Sequence, residues 1–215
     1  MLMKKLTSKI KIPRTVKRYL KKIKPYSGGE WDLKDNEIVL LKKVARKQLT
    51  KYQNGKCAYC GLNLDSRAPE IEHIAPKGGG KRPKHVEYTF LPINLVMACR
   101  DCNSPKKKGQ KETIDLKARY YHQCEFNIVH PYLDDPNDFF DFIKDPNIEG
   151  GVIPIPKQGE PHYIINKAKN TIHMFGLDTG EKILALTQER LYEKRTPLIS
   201  AELNKIINEI MAYRP

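Results

Sequence analysis

Four of the five cysteines fall into two C-x-x-C pairs, Cys57 with Cys60 and Cys99 with Cys102. Each such knuckle presents two sulfurs to one ion, and two knuckles together complete the tetrahedral thiolate shell of a structural zinc site. The 38 residues between Cys60 and Cys99 make the gap wider than in a compact zinc finger. The expected metal therefore staples the two ends of an inserted unit. Either pair alone could be a redox dithiol, but neither sits near a strand–helix–strand pattern, so two pairs in one chain favour zinc. The lone Cys124 reads as a small buried apolar residue.

The inserted unit carries Glu72, His73 and Asn94, and Asn103 follows the fourth cysteine. Taken singly these are ordinary residues: a hydrogen-bonded hairpin histidine, and asparagines that cap turns or helices. In order, however, Cys57-Ala58-Tyr59-Cys60-Gly61, Ile71-Glu72-His73-Ile74-Ala75-Pro76-Lys77, Asn94-Leu95 and Cys99-Arg100-Asp101-Cys102-Asn103 with Lys106 form one pattern. That pattern resembles the HNH endonuclease family over about residues 52 to 110. The resemblance implies an α+β fold with a ββα-metal core stapled by the four-cysteine zinc, and an enzyme that hydrolyses DNA phosphodiester bonds.

The residue chemistry agrees with that reading. Water attacking a phosphodiester needs a base, a cation to neutralise growing charge, and ligands for that cation. His73 suits the base because an unperturbed imidazole is largely neutral near pH 7. Glu72 and Asn103 offer oxygen ligands to a hard catalytic ion, Mg²⁺ or Mn²⁺, distinct from the closed zinc site. By the resemblance, Asn94 hydrogen-bonds across the hairpin to hold the His73 loop, and Lys77, Arg100 and Lys106 supply positive charge to the nucleic acid. Glu replaces the family's Asp before the base and Asn replaces its last His; both keep oxygen donors.

Those residues must be positioned by particular elements. Apolar residues from Ile38 to Tyr52 recur near helical spacing, predicting a helix from Asp35 to about Gln53 ahead of the first knuckle. Residues 70–74 alternate like a strand that Pro76 ends, residues 94–98 form a second strand, and a short helix is expected near Asp101 and Asn103. Adjacent strand residues point to opposite faces, so Glu72 and His73 share a site only near a strand end. Farther on, Val152–Ile155 predicts an edge strand that His162–Ile165 pairs with, and helices are expected over residues 166–175, 181–194 and 200–213, with a break near Pro197. The organisation expected is a basic arm and linker (1–29), a nuclease unit (30–115) that opens with the N-terminal helix, and a mainly helical C-terminal extension (116–215).

The formal net charge is +14, and residues 4 to 24 hold ten basic side chains and no acidic one. Such a block either lies along phosphates or is a solvated tail. No apolar run approaches the roughly 20 residues needed to span a bilayer, and no secretory signal is visible, so a cytoplasmic protein without a membrane partner is expected. Stretches such as His130-Pro131-Tyr132-Leu133-Asp134-Asp135-Pro136 are similar to HNH proteins of Septu and retron-associated anti-phage systems. That similarity implies a partner ATPase docking on the C-terminal helices. The competing reading is a non-catalytic zinc module that binds nucleic acid. Because no stacking platform for single strands is evident, DNA is preferred to RNA as substrate.

Overall fold

A computed structural model describes residues 2–212. The fold mixes α and β, with helices α1 (Arg14–Lys22), α2 (Asn36–Tyr52), α3 (His162–Phe175) and α4 (Gly180–Ala212). Eight short strands pair as four two-stranded antiparallel sheets: β1 (Glu70–His73) with β4 (Leu95–Ala98), β2 (Gly78–Gly79) with β3 (Arg82–Pro83), β5 (Ile114–Leu116) with β6 (Glu125–Phe126), and β7 (Phe140–Lys144) with β8 (Val152–Pro156).

The β1–β4 hairpin places a fully buried strand, β4, in the core. Its register pairs Glu70 with Ala98, Ile71 with Met97, Glu72 with Val96 and His73 with Leu95. Every residue of β4 is buried, which explains its unbroken apolar run. α2 presents Ile38, Leu41, Ala45 and Leu49 to the core at helical spacing and leaves its lysines outside. The helix is then pegged to the hairpin by the buried Gln53. Its amide nitrogen donates to the Met97 carbonyl at 2.9 Å and its Oε1 accepts from the Met97 N–H at 2.8 Å. The Met97 carbonyl also receives the Ala58 N–H at 3.0 Å, so one strand residue aligns both α2 and the first cysteine knuckle.

The basic arm lies on this core. Leu2, Met3, Leu6 and Ile10 are buried while Lys4, Lys5, Lys9 and Lys11 are exposed. The Leu6 N–H donates to the Pro131 carbonyl at 2.7 Å, and the Lys11 N–H donates to Gln48 Oε1 at 2.7 Å.

Three local expectations are corrected. The short helix after the fourth cysteine does not form: residues 100–110 run through turns and bends. Pro105 disfavours helical backbone at Ser104 and brings no N–H of its own, so the polar run cannot propagate a helix. The partner of Val152–Pro156 is β7, and residues 162–165 are instead the first turn of α3, which starts directly after Pro161. α4 continues through Pro197, where two helices had been expected; one missing N–H removes one hydrogen bond and leaves the flanking turns intact. Tyr213, the expected helix end, lies outside the described residues. Among the described residues no helix is long and apolar enough to cross a membrane.

Candidate metal centre and adjoining cleft

The two knuckles meet. Cys57, Cys60, Cys99 and Cys102 are all buried, their sulfurs lie within 4.8 Å of one another, and Cys60 Sγ is 3.8 Å from Cys99 Sγ. The Cys99 N–H points at Cys57 Sγ (3.4 Å) and the Cys102 N–H at Cys99 Sγ (3.5 Å), bonds that favour thiolate over thiol. Contact with the other three sulfurs drives the Cys99 thiol far below its usual range, while Cys60 and Cys102 are pushed up. Four soft donors in one dry cluster are the donor set for a metal ion such as zinc.

A cation stands beside the cluster. Lys182, nearly buried on α4, donates to Asp101 Oδ2 at 2.6 Å, and Lys107 donates to the same oxygen at 2.7 Å. Burial works against the Lys182 charge, but the sulfurs of Cys60, Cys102 and Cys99 and the Asp101 carboxylate hold its pKa above the ordinary value. The C-terminal helices cover the knuckles at further points: Tyr59 stacks on Phe175 with centroids 4.2 Å apart, and the Asn63 N–H donates to Glu189 at 2.8 Å. Gly176, with φ +58°, closes α3 in a left-handed turn that lets the chain reverse into α4.

On the hairpin, a cleft of about 540 Å³ is lined in part by Trp31, Glu72, His73, Lys77, Asn103 and Lys111. His73 is the last residue of β1. That terminal position lets it and Glu72, whose side chains would diverge within a strand, border one cavity. His73 Nε2 lies 3.0 Å from the Thr89 carbonyl. A carbonyl only accepts, so Nε2 carries the proton and Nδ1 is the basic nitrogen. Burial, aided by the charges of Lys77, Lys108 and Lys42, pushes the His73 pKa down to about 3, so the ring is neutral at physiological pH. The Trp31 ring meets its imidazole edge-on at 4.6 Å.

Glu72 is buried beside Lys108, whose ammonium bonds Glu72 Oε1 and donates to the His73 carbonyl at 2.7 Å. Burial raises the Glu72 pKa although Lys108 opposes it. Asn103 Nδ2 donates to Glu70 Oε2 at 2.6 Å. With those two bonds made, the second Glu72 oxygen and Asn103 Oδ1 are the hard donors remaining at this wall, a pair suited to an ion that keeps most of its own waters.

Asn94 sits behind the cleft, fully buried and fully used. Its Oδ1 accepts from the Ala75 N–H and the Tyr121 hydroxyl, each at 2.7 Å, and its Nδ2 donates to the carbonyls of Ala75 (3.1 Å) and Tyr88 (3.0 Å). The clamp fixes the turn that follows His73. Tyr121 is held in turn by the buried His130, 3.0 Å away; His130 Nδ1 accepts the Tyr132 N–H, so its Nε2 is the donor to the tyrosine oxygen.

Of the positive residues singled out from sequence, Lys77 borders the cleft, donating to Gly78 O at 3.1 Å and facing Asp32 Oδ2 at 3.3 Å. Arg100 and Lys106 are exposed and do not line it. His85 is paired with Glu112 at 2.9 Å and likewise lies off the cleft lining. Sequence reasoning missed Trp31, Lys108, Tyr121 and His130. Only for Trp31, the chain's single tryptophan, was there a compositional signal.

No family model matches the chain. Over 79 residues it is 35% identical to Protein ea31 of Escherichia phage lambda, a match that takes in 37% of this chain and 21% of the lambda protein. The similarity thus spans about a fifth of that relative's length.

Proposed function

We propose that this protein is a metal-dependent endonuclease of HNH type that hydrolyses DNA phosphodiester bonds and acts in bacterial anti-phage defence. The observation that carries the catalytic reading is the state of His73: neutral, protonated on Nε2 by its bond to Thr89, and therefore basic at Nδ1 within a cleft that also holds Glu72 and Asn103. Burial holds the ring in its neutral form, and a phosphate entering the cleft would raise its proton affinity toward that of a working base.

In this reading His73 takes the proton of the attacking water. Glu72 and Asn103 would hold a Mg²⁺ or Mn²⁺ ion, which when bound supplies positive charge to the scissile phosphate and leaving oxygen. Asn94 keeps the turn after His73 in place, and Lys77 and Lys111 add positive charge along the cleft. Zinc in the four-cysteine site has no open position and serves to hold the hairpin and knuckles together. The net charge of +14 supports a polyanionic substrate. Leu184, Leu191, Leu203 and Ile206, all exposed on α4, support a partner, such as an ATPase, docking on the C-terminal helices.

The test is nicking of supercoiled DNA by zinc-loaded protein, with and without Mg²⁺ or Mn²⁺ and with any ATPase encoded beside it. The expected result is ion-dependent cutting that His73→Ala reduces at least about a hundredfold at unchanged zinc content. Full activity in that variant overturns the role of His73. Binding to DNA without cutting under every condition replaces the enzyme with a zinc-containing nucleic-acid-binding module.

A further inference from the structure

A cation lies directly behind the wall of the cleft. Lys108 is completely buried, and its three N–H groups are matched by three acceptors: Glu72 Oε1, the His73 carbonyl at 2.7 Å and the Gly109 carbonyl at 3.4 Å. No donor is left over for a substrate. Nor is the lysine free to leave. Its backbone N–H donates to the Cys102 carbonyl at 3.2 Å, which ties it to the fourth cysteine. The next residue, Gly109, has φ +43°, and a Cβ there would lie 2.9 Å from Pro105 Cα, so the turn carrying Lys108 is tightly closed.

This fixes the charge of the ligand set. Glu72 contributes −1, Lys108 contributes +1 in direct contact, and Asn103 is neutral; the exposed Glu70, which accepts from Asn103, adds a solvent-screened negative charge that Lys111 on the cleft lining offsets. Lys77 adds a further positive charge to the same cleft, with Asp32 as its partner. A divalent ion approaching Glu72 in the free protein therefore meets one half-occupied carboxylate and a neighbouring ammonium that repels it. Hard divalent ions give up water reluctantly and bind where negative oxygens accumulate; here Lys108 takes one Glu72 oxygen and Glu70 is exposed and engaged with Asn103, so the protein alone supplies little of that accumulation. A phosphodiester supplies more, because it brings a full negative charge and non-bridging oxygens into the cleft.

We propose that Lys108 makes divalent-ion binding at Glu72 conditional on bound phosphate, so that DNA and ion enter the cleft as a thermodynamically coupled pair. The proposal rests on the reading of the cleft as a phosphodiesterase site. Its consequence is that protein without DNA carries no ion poised for hydrolysis, and by reciprocity the ion tightens DNA by the same factor that DNA tightens the ion.

The decisive measurement is a Mn²⁺ titration followed by the electron paramagnetic resonance signal of the free ion. It uses full-length zinc-loaded protein at low temperature, alone, with a short phosphodiester duplex, and with the same duplex bearing neutral methylphosphonates, each corrected for Mn²⁺ bound by the duplex itself. The expected result is weak binding to protein alone, at least tenfold tighter binding with the phosphodiester duplex, and little gain with the methylphosphonate duplex. Lys108→Met, which keeps the side-chain length and removes the charge, should tighten Mn²⁺ at least tenfold without DNA, and Glu72→Gln in that background should abolish the gain.

Equal Mn²⁺ affinity with and without the phosphodiester duplex overturns the proposal, and that comparison needs only the wild-type protein should Lys108→Met not fold. Unchanged affinity in folded Lys108→Met overturns it as well. Coupled binding without DNA cleavage would reject the nuclease reading and keep the conditional site; cleavage without coupling would do the reverse.

Discussion

The Tyr121 hydroxyl donates to Asn94 Oδ1 at 2.7 Å, and through that bond a residue beyond the fourth cysteine braces the turn that carries the candidate base. Asn94 completes all four of its side-chain hydrogen bonds, and both rings involved, Tyr121 and His130, are buried. Removing one member leaves its partners buried without bonds, which costs more than a solvated hydrogen bond would. Tyr121→Phe is expected to destabilise the protein by about 1–3 kcal/mol and Asn94→Ala by roughly 3 kcal/mol or more. Urea unfolding at constant zinc checks both; a Tyr121→Phe protein as stable as wild type would show that the brace contributes nothing.

Metal content gives a second expectation. Purified protein should carry one zinc per chain by elemental analysis, and Co²⁺ substitution should give the absorption of a tetrathiolate site. Cys99→Ser should lose most of the metal and several kcal/mol of stability, since binding at a site assembled only in the folded chain is itself folding free energy.

Lys182 offers a milder perturbation of the same centre. From α4 it faces the charge of the sulfurs directly and donates to Asp101, which lies between Cys99 and Cys102. Lys182→Met is expected to lower zinc affinity by roughly tenfold, within the range for residues that support metal ligands. A colorimetric chelator competition measures this, and an unchanged zinc affinity would limit Lys182 to helix packing.

The two buried histidines set a pH dependence. His73 and His130 are each pushed down to about 3, chiefly by burial, against about 6.5 in an unfolded chain. Between those values only the unfolded chain takes up the protons, so stability is level above about pH 6.5 and falls as pH drops toward 3. Each histidine contributes a slope of up to about 1.4 kcal/mol per pH unit. Between pH 5 and 6, with zinc in excess, His73→Gln should flatten the stability profile by about 1 kcal/mol per unit; a slope equal to that of wild type would mean His73 is protonated in the fold.

The cysteine pairs, α2 and the β1–β4 hairpin were readable because each is a local pattern: a C-x-x-C spacing, a helical repeat, an alternating run closed by Pro76. Lys108 was not. It ends the run Lys106-Lys107-Lys108, in which only Lys106 is singled out from sequence and then as an exposed charge for nucleic acid, and the turn closed by Gly109 decides that the third lysine is the one buried. Tyr121 and His130 escaped for a different reason. Their partners lie at Asn94 and on Tyr132, and no periodicity marks a hydrogen bond between residues 27 positions apart. The missing helix after Cys102 shows a capping signal at Asn103 overruled two residues later by Pro105.

The brace from Tyr121 and His130 has a consequence for synthesis. As the chain leaves the ribosome, the four cysteines are available once Cys102 has emerged, and the metal can then be captured. The turn after His73 still lacks its support until residue 130 is out. A nascent chain could thus assemble its four-cysteine cluster before the turn after His73 has its full support, so the two halves of the hairpin region mature in a fixed order.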